Sequence, residues 1–274
     1  MKILITGGTG FLGLAVCKRV YLHHEVYVLT RDKAKAEKIL PHGVKVLSAE
    51  DDFPQIDAIF NFAGAAISAK ILNHHRTRIL LKSRLQILRL LAQKYSLHTL
   101  PRYFIQASAT GIYSNDQTCD EKGECHGAFC ELISAIEKAS AKYFASCEHF
   151  SILRFGVILG KGGGLFSILK RLPRLRIIPD KNNCIPWVSL DDAVASCLFV
   201  LSHNIHGIIN VADPKLLTAN EILKIGRKTS FFLPLPYFLL TLVFDKRGLL
   251  LTASNHIISQ KLLSCGFIFK HSIE

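Results

Sequence analysis

The chain opens with Ile3-Leu4-Ile5-Thr6-Gly7-Gly8-Thr9-Gly10-Phe11-Leu12-Gly13, and no other stretch restricts the fold as tightly. A short apolar run ends in a glycine-rich turn, and an amphipathic stretch carrying Leu14, Ala15, Val16 and Val20 follows. This is the pattern of a strand, a tight loop and a helix. Gly8, Gly10 and Gly13 have the spacing G-x-G-x-x-G, while Gly7, Gly10 and Gly13 have G-x-x-G-x-x-G. In either register one glycine permits the turn, one lets backbone approach a pyrophosphate, and one lets the helix pack close to the strand. The helix N-terminus then turns unpaired N–H groups and a positive dipole end toward the phosphates. A dinucleotide-binding βα unit is predicted, with Gly7, Gly10, Phe11, Leu12 and Gly13 against the cofactor.

Apolar runs and helical periods alternate beyond this unit, as they do in an α/β fold with a doubly wound parallel sheet. Further strands are predicted at 26–29, 44–47, 58–62, 103–108, 152–155 and 208–211, and long helices at 76–95 and 128–146. After residue 156 the pattern loosens: Gly160-Lys161-Gly162-Gly163-Gly164 reads as a loop, followed by a short helix and proline-bounded pieces. The expected organisation is a Rossmann-type domain over 1–160, with a strand contribution from about 183–212. A smaller, interleaved C-terminal lobe over 161–274 would cap the substrate side.

The chain has 274 residues, 49% of them apolar, which suffices for a core, and a formal charge of +13. A basic chain raises nucleic acid as a partner. However, the lysines and arginines are scattered, Lys33, Lys35 and Lys38 form only a mild cluster, and no nucleic-acid motif is present. A surface that attracts phosphorylated small molecules fits better than specific nucleic-acid binding. The eight cysteines form no C-x-x-C, and Cys119, Cys125, His126 and Cys130 have no standard metal spacing. No metal site is expected, and the cysteines read as reduced thiols of a cytoplasmic protein. The first strand starts at once, so no signal peptide is expected. The longest apolar run, 231–244, contains Pro234 and Pro236 and is too short for a membrane span. It reads as a loop entering a buried helix.

The second strand ends at Thr30-Arg31. An acidic residue here would accept from the ribose 2′-hydroxyl of NAD, whereas an arginine suits the 2′-phosphate of NADP. Asp32 follows directly, so both cofactors stay open, with NADP(H) favoured over NAD(H). At the fourth strand end, Asn61-Phe62-Ala63-Gly64 offers small residues where a dinucleotide would cross. Phe62, Ala63 and Gly64 therefore join the cofactor-binding set.

Several segments together resemble the extended short-chain dehydrogenase/reductase superfamily: the glycine-rich start, Asn61-Phe62-Ala63-Gly64 and Ser108-Ala109-Thr110-Gly111-Ile112-Tyr113. Others are similar to its atypical bacterial "epimerase family" (YfcH-like) branch: Ser83-Arg84, Leu153-Arg154-Phe155-Gly156, Pro186-Trp187-Val188-Ser189 and Leu233-Pro234-Leu235-Pro236. The resemblance implies a Rossmann fold, a nicotinamide cofactor and a small-molecule substrate. It also implies a homodimer formed through the two long helices.

Active members of the superfamily use a serine and a Tyr-x-x-x-Lys pair. Tyrosine exchanges the substrate proton, lysine lowers its pKa, and serine orients the carbonyl. Ser108 falls at the serine position, but Phe129 and Ile133 fall where the tyrosine and lysine would stand. Neither exchanges a proton. The branch itself is apolar at these places, yet this chain departs from it further. It has Ile136-Glu137 where the branch has Trp-Glu, Gln106-Ala107-Ser108 for Ser-Ala-Ser, and Ile112-Tyr113-Ser114 for Tyr-Tyr-Gly. Ser108 and Tyr113 remain the candidate catalytic residues. Glu137 reads as a cap or salt-bridge residue, Asp191 as a helix N-cap, and Arg154 as a partner of either substrate or a helix carboxylate. Three functions follow: an NADP(H)-dependent oxidoreductase, an NADP(H)-binding protein without turnover, or a nucleotide-sugar epimerase.

Overall fold

The computed structural model describes residues 1–65, 73–96, 100–114, 118–127, 129–169, 175–178, 183–225, 233–236, 239 and 254–270. The strands are β1 (Lys2–Thr6), β2 (Glu25–Leu29), β3 (Lys45–Leu47), β4 (Ala58–Asn61), β5 (Tyr103–Ala109), β6 (Thr118–Cys119), β7 (His149–Phe155), β8 (Val157–Leu159), β9 (Leu175–Ile178), β10 (Trp187–Ser189), β11 (Gly207–Val211), β12 (Leu233–Pro236) and β13 (His256–Ile257). The helices are α1 (Phe11–Val20), α2 (Lys33–Glu37), α3 (His74–Ser96), α4 (Cys130–Phe144), α5 (Gly164–Leu169), α6 (Leu190–Ser202), α7 (Ala219–Lys224) and α8 (Gln260–Ser264).

A seven-stranded sheet of order β11-β7-β5-β4-β1-β2-β3 forms the centre, and every pairing in it is parallel. Its strands are the seven apolar runs read from the sequence. Both faces are buried, so the strands alternate between two apolar sets rather than between apolar and polar residues. Ile3, Ile5, Phe60 and Ile105 share one core with Val16 and Val20 of α1 and Ala193 and Val200 of α6. Leu4, Ile59 and Phe104 face the other way, onto Leu88, Leu91 and Tyr95 of α3 and Phe144 of α4.

From β1 the chain builds outward through β2 and β3, then returns to place β4 on the opposite side of β1. The strand order reverses between β1 and β4, and ligands of such sheets bind outside the carboxyl ends at that point. The register brings the ends together: Thr6 is opposite both Leu29 and Asn61, and Asn61 is opposite Gln106.

Three local readings change. The N-cap of α6 is Ser189, whose hydroxyl accepts from the Asp192 backbone N–H. Asp191 lies inside the first turn, because the helix begins earlier than its apolar period suggests. Residues 233–236 form a strand beside β9 rather than a loop entering a helix; of the rest of 231–244, only Leu239 lies within the described residues. Cys125 and Cys130 are disulfide-bonded, so the eight thiols are not all reduced. Among the described residues no helix is long and apolar enough to cross a membrane.

Candidate dinucleotide and substrate crevice

The loop after β1 has no room for side chains. Gly7 has φ +69°, and a Cβ there would lie 2.9 Å from the backbone of Phe62 and Ala63. Only glycine meets both demands without strain. A Cβ at Gly13 would overlap the Gly7 carbonyl oxygen, so this glycine sets how closely α1 approaches the loop. That carbonyl accepts from Gly10 N–H at 2.8 Å, and Gly10 in turn accepts from Leu14 N–H at 2.8 Å. The N-cap of α1, Gly10, contributes no side-chain hydrogen bond. The first N–H groups of α1 are thereby kept for a ligand. Leu12 is half-buried against the sheet core. Phe11 leans the other way: its ring carbons Cδ2 and Cγ would lie 2.5 and 2.7 Å from a Cβ at Gly163. The second glycine-rich loop therefore lies across the mouth of the first.

Beneath the crevice runs a buried polar ladder. Thr6 Oγ1 donates to Asn61 Oδ1 at 2.5 Å, Asn61 Nδ2 donates to Gln106 Oε1 at 2.7 Å, and Gln106 Nε2 donates to the Ala107 carbonyl at 2.7 Å. Thr6 Oγ1 also accepts from Ala63 N–H at 3.1 Å. This fixes the 62–64 segment beside Gly7. Sequence reasoning misses Asn61 and Gln106 as site-forming residues. Their signal is a polar residue in an otherwise apolar strand, at the last position of β4 for Asn61 and in the middle of β5 for Gln106.

At the end of β2, Arg31 is exposed. The neighbouring acid is engaged elsewhere, since Asp32 Oδ1 accepts from Lys35 N–H at 3.0 Å as the N-cap of α2. Thr30 Oγ1 accepts from Asp32 N–H at 3.2 Å and fixes this turn. Among the described residues no hydrogen bond or ion pair involves the Arg31 guanidinium, whereas the Asp32 carboxylate caps α2.

Ser108, near the end of β5, is half-buried. Its hydroxyl donates to Glu137 Oε1 at 2.5 Å. Glu137 comes from α4 and is bound in a fork by Arg154 of β7, at 2.9 Å from Nε and 2.7 Å from Nη2. Both side chains are under a tenth exposed. Arg154 thus pairs with the helix carboxylate, which settles the two readings left open by its sequence. Burial works against its charge, but the hydrogen bonds and charge of Glu137 outweigh that, and its pKa rises. Arg154 Nη1 also donates to Tyr113 Oη at 2.8 Å, and Tyr113 donates to Asn210 Oδ1 at 2.7 Å. Tyr113 is 1% exposed. Burial pushes its pKa up, partly offset by Arg154. Ser108 and Tyr113 therefore sit on one network, with Ser108 at its rim and Tyr113 inside.

Phe129 and Ile133, which the resemblance sets at the tyrosine and lysine positions, pack against the turn after β5. A Cβ at Gly111, in the 3₁₀ turn after β5, would lie 3.1 Å from Phe129 Cδ2 and 3.8 Å from Ile133 Cδ1. Among the described residues no group of three His, Cys, Asp or Glu side chains could hold a metal.

The relatives agree with this architecture. Human epimerase family protein SDR39U1 is 26% identical over 97% of this chain and 94% of its own length. Epimerase family protein YfhF of Bacillus subtilis is 27% identical over 99% and 95%. The crystal structure of human SDR39U1, determined with NADPH, superposes with a TM-score of 0.82 at 25% identity, covering 99% of this chain and 95% of that one. The fold also matches UDP-glucose 4-epimerase of Thermotoga maritima, with a TM-score of 0.77 at 17% identity over 99% and 94%. Residues 3–212 match the family model of the NAD dependent epimerase/dehydratase family. The chain belongs to that family, on the short-chain dehydrogenase/reductase type of Rossmann fold.

Proposed function

We propose that this chain binds NADP(H) and acts as an oxidoreductase on a small molecule whose reacting carbonyl or hydroxyl oxygen meets Ser108. The observation that carries the cofactor reading is the glycine cradle. Side chains at Gly7 and Gly13 would collide with backbone, and such a shape serves an approaching pyrophosphate. In this reading Gly7, Gly10, Phe11, Leu12 and Gly13 surround the phosphates, and Phe62, Ala63 and Gly64 line the crossing. Thr30 shapes the turn from which Arg31 meets a 2′-phosphate. The human relative crystallised with NADPH supports the same choice, and NAD(H) is the weaker alternative. The bound nicotinamide supplies hydride chemistry. Ser108 donates its one proton to Glu137, so its oxygen accepts from a substrate hydroxyl, and orienting a carbonyl requires it to turn that proton from Glu137 to the substrate. Tyr113, the other candidate, acts in this reading as a positioning residue: its hydroxyl is committed to Arg154 and Asn210. The segment after Gly160 caps the substrate side.

A second reading, an NADP(H)-binding protein without turnover, rests on Phe129 and Ile133. Sugar epimerisation by the usual tyrosine has no residue to carry it at position 129. Calorimetric titration with NADPH and, separately, NADH tests the cofactor. Tight NADPH and weak NADH binding is the expected outcome; binding of neither overturns the proposal. Oxidation of NADPH by a carbonyl substrate panel, lost in Ser108→Ala, separates the first reading from the second.

A further inference from the structure

Arg84 of α3 lies against the strand-end crevice. A Cβ at Gly64 would be 2.6 Å from Arg84 Cζ and 2.8 Å from Nη1, so the guanidinium lies directly on the backbone of the crossing segment. Nη1 donates to the carbonyls of Ala65 at 3.3 Å and Leu80 at 3.1 Å. Nε and Nη2 meet no acceptor among the described residues. None of the ion pairs among those residues includes Arg84. By contrast Arg154, which is buried where Arg84 is half-buried, is fully matched by Glu137. Helix α3 has no acidic residue at all, so no carboxylate of its own helix compensates. A partly desolvated guanidinium without a counter-charge is costly unless a ligand supplies one. Burial, with the charge of Arg76 adding to it, pushes the Arg84 pKa down, the direction expected of an uncompensated cation.

Its place along the crevice decides which ligand. Ala65, whose carbonyl Arg84 holds, packs in one apolar cluster with Leu80 and Phe129. Arg84 is therefore on the α4 side of the crevice. Arg31, the cation suited to the cofactor's 2′-phosphate, stands at the end of β2 on the opposite side of β1. We infer that Arg84 is an anion-recognition residue for the substrate, which carries a phosphate or carboxylate group bound by the free edge of this guanidinium. The inference rests on the proposed NADP(H)-linked reading and names the substrate class. The planar donor fork of arginine matches both groups.

The test uses the full chain. NADPH is first titrated into wild type, which judges the cofactor reading alone. Inorganic phosphate is then titrated into the NADPH-loaded protein, where the cofactor covers the glycine loop and Arg31. A millimolar isotherm is expected, weakened about ten-fold or more in Arg84→Met and partly restored in Arg84→Lys. NADPH affinity should stay within about two-fold of wild type in both variants. No phosphate isotherm in loaded wild type overturns the proposal, whether or not the variants fold. An equal loss of NADPH affinity in Arg84→Met also overturns it, because Arg84 would then serve the cofactor's own phosphates. If wild type takes no NADPH, the cofactor reading fails, and the same phosphate titration of the ligand-free protein still decides Arg84.

Discussion

The two ends of the crevice are built differently. At the β1–α1 end, function is held by absence: glycines leave backbone bare, α1 begins without a side-chain cap, and Arg31 stands free of its acidic neighbour. At the β5–α4 end, function is held by presence, and much of that presence is inward. Ser108, Glu137, Arg154, Tyr113 and Asn210 hydrogen-bond to one another, while Phe129 and Ile133 close the turn with apolar surface. The difference teaches that binding a dinucleotide and exchanging a proton are separable properties of this fold. The first needs only a backbone shape; the second needs a titratable group left facing the ligand.

If the ends are separable, damage at one should leave the other working. The largest effect is expected from Glu137→Ala, which strands Arg154 in the core. Stability should fall by about 3–5 kcal/mol in urea unfolding, while the protein that remains folded keeps its NADPH affinity. A parallel collapse of affinity would join the two ends. Gly13→Ala attacks the other end: its Cβ meets the Gly7 carbonyl, with an expected cost of about 1–3 kcal/mol. NADPH binding should weaken about ten-fold or more by calorimetry. Arg31→Ala should weaken NADPH by about ten-fold and leave NADH unchanged; equal losses for both would move the 2′-phosphate contact elsewhere. Phe129→Tyr with Ile133→Lys restores the missing pair. New turnover in the double variant beside a silent wild type would favour the non-catalytic reading.

The smallest effect lies outside the crevice. The hydrogen bonds from Lys33 and the Ser48 backbone hold the Asp51 carboxyl down to about 2, against an ordinary 3.8. A depressed folded-state pKa stabilises above the unfolded value, and that contribution is lost as pH falls from about 3.8 through about 2. Asp51→Asn should flatten acid unfolding across this window, with no change in NADPH affinity.

The β1–α1 end was legible because its chemistry is local. A strand, four glycines and the first turn of a helix fall within residues 2–13, and Arg31 follows from the same unit. The seven strands were legible because strands covered on both faces are rich in apolar residues, although the edge strand β3 keeps only Val46 and Leu47 half-buried. The other end draws on residues far apart in the chain: Arg154 meets Tyr113 across 41 positions and Tyr113 meets Asn210 across 97. No periodicity records such meetings. Glu137 and Arg154 were each recognisable as charged residues on buried elements, but their pairing depends on how α4 lies over β5 and β7. The N-cap of α6 was misplaced for a smaller reason: Ser189, Asp191 and Asp192 all suit a helix start, and only the backbone decides among them.

Glu121 Oε1 accepts from the backbone N–H groups of both Asn210 and Lys261, while Ala212 N–H and C=O both engage Ser259 Oγ. The segment 254–270 thus fastens the outermost strand, and through Asn210 it reaches Tyr113. This has a temporal consequence. During synthesis the dinucleotide loop is complete once β4 has emerged, but the interior around Tyr113 waits for residues 258–259, about 200 positions later in the chain. The nascent chain would pass through a stage that can grip a cofactor before it can shape a substrate.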